Sequence, residues 1–188
     1  MAKRIGVLAL QGDFEAHGKA LARAGAEPVE VRSAEQLSDV QGLVIPGGES
    51  TTMLKLLDVT GLKEPILQFA ETKPVFGTCA GAILLAKRVT NPAQESLGLM
   101  DIEVERNAYG RQLDSRIVRL QPDMQGGDLE AVFIRAPIIR AVSPDARVIA
   151  SYNGDPVLVE QGSHLVATFH PELSSDDRVH RLFLDKVE

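Results

Sequence analysis

A chain of 188 residues, 44% hydrophobic and 24% charged, has the composition of one globular domain, long enough to bury a core without disulfide or metal staples. A net charge of -6 supplies no evident basic face, so neither a nucleic acid nor an anionic membrane is an expected partner. A single cysteine excludes an internal disulfide, and the apolar run Ile5 to Leu10 after Lys3-Arg4 is too short for a signal sequence or a span, so a reducing cytoplasm is the expected compartment.

Arg4 to Leu10 is a continuous apolar run, the mark of a strand buried on both faces. Gln11-Gly12-Asp13 turns it into a helix carrying Phe14, Leu21 and Ala24, which Gly25 ends. Glu27 to Val31 reads as a second strand, Ser33 with Gln36 as the capping box of a short helix, and Leu43-Val44-Ile45 as a third strand. Pro46-Gly47-Gly48-Glu49-Ser50 follows directly. Two glycines after a buried strand let main-chain N–H groups point into a shared hollow, and Ser50 or Thr51 is placed to cap a helix through Met53, Leu54 and Leu57. Neither GxGxxG nor the Lys-Ser/Thr ending of a phosphate loop is present, so an oxyanion hole or substrate cradle suits this loop better. A helical stretch from Leu62 to Glu71 comes next, and Pro74 opens a fourth strand.

That strand runs into Val75-Phe76-Gly77-Thr78-Cys79-Ala80-Gly81-Ala82 and then a helix through Ile83-Leu84-Leu85-Ala86, a strand-turn-helix corner of the nucleophile-elbow type. Glycines flank the cysteine because a sharp turn leaves no room for a β-carbon beside the neighbouring strand or helix. The corner would expose the sulfur at the mouth of a site and set it at the helix N-terminus, where unpaired N–H groups favour the thiolate. A small buried core residue is the other reading of a lone cysteine among apolar neighbours. Alternating strands and helices imply a parallel sheet covered on both faces, with ligands beyond the carboxyl ends of the strands, where the glycine pair and Cys79 both fall.

After Pro92 the pattern changes to short β-like segments: Ile102 to Glu105, Ser115 to Leu120, Ala131 to Arg135, Arg147 to Tyr152, Val157 to Glu160 and Leu165 to Phe169. They are expected to add antiparallel strands to the sheet, closed by a helix from about Ser175 to Val187. His170 sits at the end of the last strand, Pro171 fixes the turn, and Glu172 can accept a hydrogen bond from one ring nitrogen while the other faces a thiol. By itself His-Pro-Glu is equally a loop histidine beside a surface glutamate. Its weight comes from the elbow and the glycine pair converging on the same crevice. His17 and His180 fall on expected helices and read as partly exposed. His164 begins the strand leading to His170, and nothing is spaced with it as a metal site. No metal and no cofactor are expected.

The combination resembles the class I, triad-type glutamine amidotransferases, and within them the glutaminase subunits of pyridoxal 5'-phosphate synthase. The resemblance is carried by Gly6-Val7-Leu8-Ala9-Leu10-Gln11-Gly12, Pro46 to Thr52, Gly77-Thr78-Cys79-Ala80-Gly81, Glu105 to Gln112, Phe133-Ile134-Arg135-Ala136-Pro137 and His170-Pro171-Glu172-Leu173. It implies an α/β, flavodoxin-like three-layer sandwich around a mostly parallel sheet with added antiparallel strands, forming one domain over residues 1–188. It also implies that Cys79 is the nucleophile on the amide of L-glutamine, His170 the general base and then acid, and Glu172 the residue that orients His170. Ala80 and the Gly47-Gly48 loop would supply oxyanion N–H groups. Gly47, Gly48, Glu49, Arg106, Ile134 and Arg135 would form the glutamine site, an arginine being suited to fork onto an α-carboxylate. The implied partner is the barrel-fold synthase subunit, which would receive ammonia in a hetero-oligomeric complex. Two other readings stay open: a glutaminase serving a different synthase, against which Ala82-Ile83 after Gly81 speaks, and a non-catalytic relative with Cys79 as a redox sensor.

Overall fold

The computed structural model describes residues 1–107 and 116–188. The apolar runs of the first half become four strands, β1 (Arg4–Leu8), β2 (Glu27–Val31), β3 (Gly42–Ile45) and β4 (Val75–Thr78). Between and after them lie α1 (Phe14–Arg23), α2 (Ala34–Leu37), α3 (Ser50–Thr60), α4 (Lys63–Ala70) and α5 (Ala80–Leu85). The capping box of α2 forms in a variant way. Ser33 Oγ accepts the Gln36 N–H at 3.3 Å, but the Gln36 side chain reaches back one residue further, to the N–H of Arg32 at 2.7 Å.

The second half supplies β5 (Ala86–Thr90), β6 (Met100–Glu105), β7 (Arg116–Leu120), β8 (Leu129–Phe133), β9 (Ile138–Val142), β10 (Arg147–Tyr152), β11 (Asp155–Gln161) and β12 (His164–Ala167). A 3-10 turn at Pro171–Leu173 and helix α6 (Arg178–Leu184) follow. Seven strands form one sheet in the order β10-β11-β12-β4-β3-β1-β2. The run from β12 to β2 is parallel, and β11 and β10 are added antiparallel at one side. Alternation along the strands divides the core in two. Leu8, Leu43, Ile45 and Val75 pack with Met53, Leu57, Ile66 and Leu84 of α3, α4 and α5. On the other face Ile5, Val7, Val44 and Phe76 meet Leu21 of α1 with Val179 and Phe183 of α6, which makes the three layers.

Not every later strand joins this sheet, contrary to expectation. β5, β6 and β9 form a three-stranded sheet of their own, and β7 and β8 a two-stranded ribbon. Ala86, expected in the helix after the elbow, instead opens β5. The apolar run Ile83 to Ala86 is too short to carry a period, so helix and strand are not distinguishable within it. The last helix is shorter than Ser175 to Val187. Ser174 Oγ accepts the Asp176 N–H at 3.1 Å and Asp176 Oδ1 accepts the Arg178 N–H at 3.1 Å, so side chains hold 174–177 as a turn. Among the described residues no helix is long and apolar enough to cross a membrane.

The strand order decides where loops meet. β12, β4, β3 and β1 are successive neighbours pointing the same way, so the residues just beyond their carboxyl ends, His170, Cys79, Gly47 and Gln11, are brought to one edge.

Candidate active site

Cys79 follows β4 directly and adopts φ 52° and ψ -108°. A non-glycine residue there is strained by about 1–3 kcal/mol, and surrounding bonds must hold it. They do: its N–H donates to Ala167 O of β12 at 2.9 Å, and its carbonyl accepts the N–H groups of Ala82 and Ile83 at 3.0 and 3.3 Å. The flanking glycines behave as the corner requires. A β-carbon on Gly77 would lie 2.4 Å from the carbonyl oxygen of Gly81, and one on Gly81 only 2.1 Å from that of Ile45 in β3. Backbone on both sides leaves nothing flexible to yield. Gly81→Ala should therefore lower the thermal unfolding midpoint by about 5 °C or more, as overpacking worth about 1–3 kcal/mol does in a chain of this size. Differential scanning fluorimetry checks it.

His170 is fixed by its own N–H, which donates to Val132 O of β8 at 2.8 Å. The 3-10 turn beginning at Pro171 swings Glu172 back, so that His170 Nδ1 lies 2.6 Å from Glu172 Oε1. Cys79 and His170 lie side by side under Gly47 and interact electrostatically, and with Nδ1 taken by Glu172 the nitrogen left to face the sulfur is Nε2. Gly47 closes the corner from above. A β-carbon there would come within 2.8 Å of His170 Cε1 and 3.3 Å of Cys79 Cβ, so the loop after β3 passes directly over the sulfur–imidazole pair.

Burial disfavours a charged His170, but hydrogen bonds to Cys79 and Glu172, and attraction by both, outweigh it and raise its pKa to about 10. Burial would likewise push Glu172 up. Hydrogen bonds and electrostatic attraction from His17 and His170 prevail and lower it from 4.5 to about 2. A carboxylate depressed on folding adds stability that is present above its unfolded pKa and lost as pH falls toward the folded one. The melting-temperature advantage of the unaltered chain over Glu172→Gln should thus be full above about pH 5 and shrink steadily on acidification toward pH 3. Thermal melts of both across that range measure it.

The remaining expected residues cluster around this pair to different degrees. Ala80 is buried at the first position of α5, where backbone N–H groups have no partner within the helix. Glu49, rather than Ser50 or Thr51, caps α3, its carboxylate accepting the Thr51 and Thr52 N–H groups at 3.4 and 2.8 Å. The helix begins one residue earlier than expected, which moves the cap back to Glu49. Burial opposes its charge, but these bonds together outweigh it and lower its pKa. Arg106 reaches the same corner, donating to Thr51 Oγ1 at 2.9 Å and lying 3.6 Å from Glu49 Oε1. Ile134 presents its carbonyl oxygen 3.9 Å from the Cys79 sulfur, while Arg135 has φ 45° and an exposed side chain. Residues 108–112, part of the sequence resemblance, and Ser115 of the expected strand lie outside the described residues. Two glutamines escaped notice. Gln11 Oε1 accepts the Glu49 N–H at 2.9 Å and so props the glycine loop, and Gln94 Oε1 accepts from Ser50 and Thr51 at 3.3 and 3.2 Å.

The larger correction concerns His17 and His180, expected on partly exposed faces. Both are fully buried. His17 Nε2 lies 3.2 Å from Glu172 Oε2 and 3.0 Å from Thr78 Oγ1, and its Nδ1 lies 3.0 Å from His180 Nε2. Burial and the neighbouring His17 hold the His180 pKa down at about 3. A signal was available: in α1 the buried residues are His17, Ala20 and Leu21, a helical i, i+3, i+4 stripe that puts His17 on the core face. His164 accepts the Val75 N–H at 3.1 Å, and burial lowers its pKa. Among the described residues the one trio with metal-ligating atoms within 4.8 Å of each other is Asp13, His170 and Glu172, two of which already bond to each other.

A thiol facing an imidazole whose far nitrogen is held by a carboxylate is equipped to attack an acyl carbon, and backbone N–H groups at a helix start and a glycine loop can receive the oxyanion. The whole chain has known counterparts. Residues 7–188 match the SNO glutamine amidotransferase family. The pyridoxal 5'-phosphate synthase subunit PdxT of Solibacter usitatus is 66% identical over 191 residues, covering 98% of this chain and 100% of the relative. PdxT of Koribacter versatilis is 58% identical over 184 residues, covering 98% and 95%. A crystal structure of a glutamine amidotransferase superposes with a TM-score of 0.90 at 46% identity, covering 97% of each chain. With the family matched over nearly its full length, the chain belongs to the SNO glutamine amidotransferases.

Proposed function

We propose that this chain is the glutaminase subunit of a pyridoxal 5'-phosphate synthase, hydrolysing L-glutamine to L-glutamate and ammonia for a separate barrel-fold subunit. The observation that carries the catalytic part is the Cys79–His170–Glu172 line at the carboxyl edge of the sheet. The names of the relatives carry the metabolic part. His170, with its raised pKa, already holds the thiol proton when the Cys79 thiolate attacks the side-chain amide carbon, and passes it to the departing nitrogen, so that ammonia leaves and a glutamyl thioester remains. Water, deprotonated by the same imidazole, then cleaves the thioester, which restores the thiol and releases glutamate. Ala80 and the Gly47-Gly48 loop supply N–H groups to each oxyanion, at about 3–4 kcal/mol per well-placed donor.

Gly47, Gly48, Glu49, Arg106, Ile134 and Arg135 would line the glutamine site. Arg106 is mostly buried against Thr51 and Glu49 beside the glycine loop, placed to meet a bound α-carboxylate. Arg106→Ala should raise the KM for glutamine about tenfold or more, the cost of one charge-assisted hydrogen bond, and change kcat much less. Steady-state glutaminase kinetics separate the two. The chain is read as one domain, since strands from both its halves share one sheet and Lys3 Nζ donates to Leu184 O at 2.8 Å.

The partner is tested by glutamate release with and without the synthase subunit. Activation of hydrolysis by docking, which the resemblance to the synthase glutaminases implies, predicts that the partner raises turnover, and equal turnover in both conditions would contradict it.

A further inference from the structure

We propose that His17 is a positioning residue for the triad, holding the second oxygen of Glu172 and, with His180 behind it, setting the direction in which every proton of the line points. The proposal deepens the glutaminase reading and rests on it.

Glu172 is a carboxylate with no exposed side-chain surface. A buried charge of this kind is tolerated only when its oxygens meet donors. Oε1 meets His170 Nδ1 at 2.6 Å. Among the described residues Oε2 has no well-aligned hydrogen bond, and His17 Nε2, 3.2 Å away, is the donor placed to supply one. Asp13 adds negative charge within 4.8 Å of the His170 and Glu172 ligand atoms and cannot donate, and Arg23 acts on His180 only through its charge.

The proton arrangement follows from what is left unpaired. Among the described residues His180 Nδ1 is buried with no hydrogen-bond partner. A bare lone pair there costs less than a stranded N–H, so His180 carries its proton on Nε2. That proton goes to His17 Nδ1 at 3.0 Å, which leaves His17 its proton on Nε2, directed at Glu172 Oε2 and at Thr78 Oγ1. His170 must then donate from Nδ1 to Oε1, keeping Nε2 turned to Cys79, where it holds the thiol proton and hands it on. Glu172 thus receives donors from both sides and cannot turn its face. Phe76 packs edge-on against both His17 and His180, at centroid distances of 6.4 and 5.9 Å, and walls the line off from water. Four elements that meet only in the folded chain, α1, α6, the end of β4 and the 3-10 turn, are tied together under the elbow.

Two substitutions divide the contacts of His17. His17→Gln keeps an amide N–H near the place of Nε2, toward Glu172, and gives up His180. His17→Asn keeps an amide oxygen near Nδ1, able to accept from His180, and gives up the donor toward Glu172. Glutaminase kinetics with saturating synthase subunit should show His17→Gln within about threefold of the unaltered enzyme. His17→Asn should lose about tenfold or more in kcat with KM within about twofold, as expected when a hydrogen bond to a charged group is lost. In proton spectra of the free chain with 15N-labelled histidine, the downfield Nδ1–H resonance of His170 should persist in His17→Gln and shift or vanish by exchange in His17→Asn. Equal kcat for the two variants at equal thermal stability, or an unmoved His170 resonance in His17→Asn, overturns the proposal and leaves the glutaminase reading standing. Turnover surviving Cys79→Ala would instead remove that reading, while the resonance would still report on His17.

Discussion

Cys79→Ala is expected to lower glutamate release by at least about a thousand-fold, because the sequence has no second cysteine to form the acyl intermediate and the residual rate rests on oxyanion donors and binding alone. Alanine accepts the φ of 52° no worse than cysteine, and the backbone bonds to Ala167, Ala82 and Ile83 do not involve the sulfur, so the fold is retained. Glutamine binding, followed by calorimetry with the synthase subunit present, should survive within a few-fold. The substitution has a second consequence. The sulfur is one of the two partners that raise His170 to about 10, so its pKa should drop in Cys79→Ala. Titration of the histidine ring resonances reads this directly.

Glu172→Gln is expected to cost about a hundred- to ten-thousand-fold in kcat with little change in KM. The amide fits the same buried space but presents His170 Nδ1 with an N–H as readily as with an oxygen. An N–H there forces the proton of the neutral ring onto Nε2, and that tautomer cannot accept a proton from Cys79. Loss of the carboxylate also removes a charge that stabilises the imidazolium formed after proton transfer. Steady-state kinetics at several pH values test this. A kcat within threefold of the unaltered enzyme at its optimum would show that orientation of His170 comes from elsewhere.

The parallel half of the fold was legible because β1, β3 and β4 are apolar on both faces, and glycine or proline punctuates the connections between them. The elbow was legible because backbone crowding at Gly77 and Gly81 is a local matter, settled within a few residues and one neighbouring strand. What the sequence did not disclose depends on partners far along the chain. β5 and β9 are not among the expected strands; among the described residues both pair with β6, and nothing within either segment announces a separate sheet. His17 and His180 are 163 residues apart, and their meeting depends on α1 and α6 covering the same face of the sheet. The stripe of His17, Ala20 and Leu21 announced a buried ring but not its neighbours. The cap at Glu49 was missed for a smaller reason: a glutamate is a less common cap than the serine or threonine beside it.

The central claim is that Cys79 forms a covalent bond to the side-chain acyl carbon of glutamine. Mass spectrometry of the complex with its synthase subunit, after exposure to a glutamine analogue bearing an electrophilic ketone in place of the amide, tests it most directly. The account predicts one equivalent of adduct, located on the peptide that contains Cys79, forming in step with loss of glutaminase activity and slowed by excess glutamine. Complete inactivation with Cys79 unmodified would contradict it.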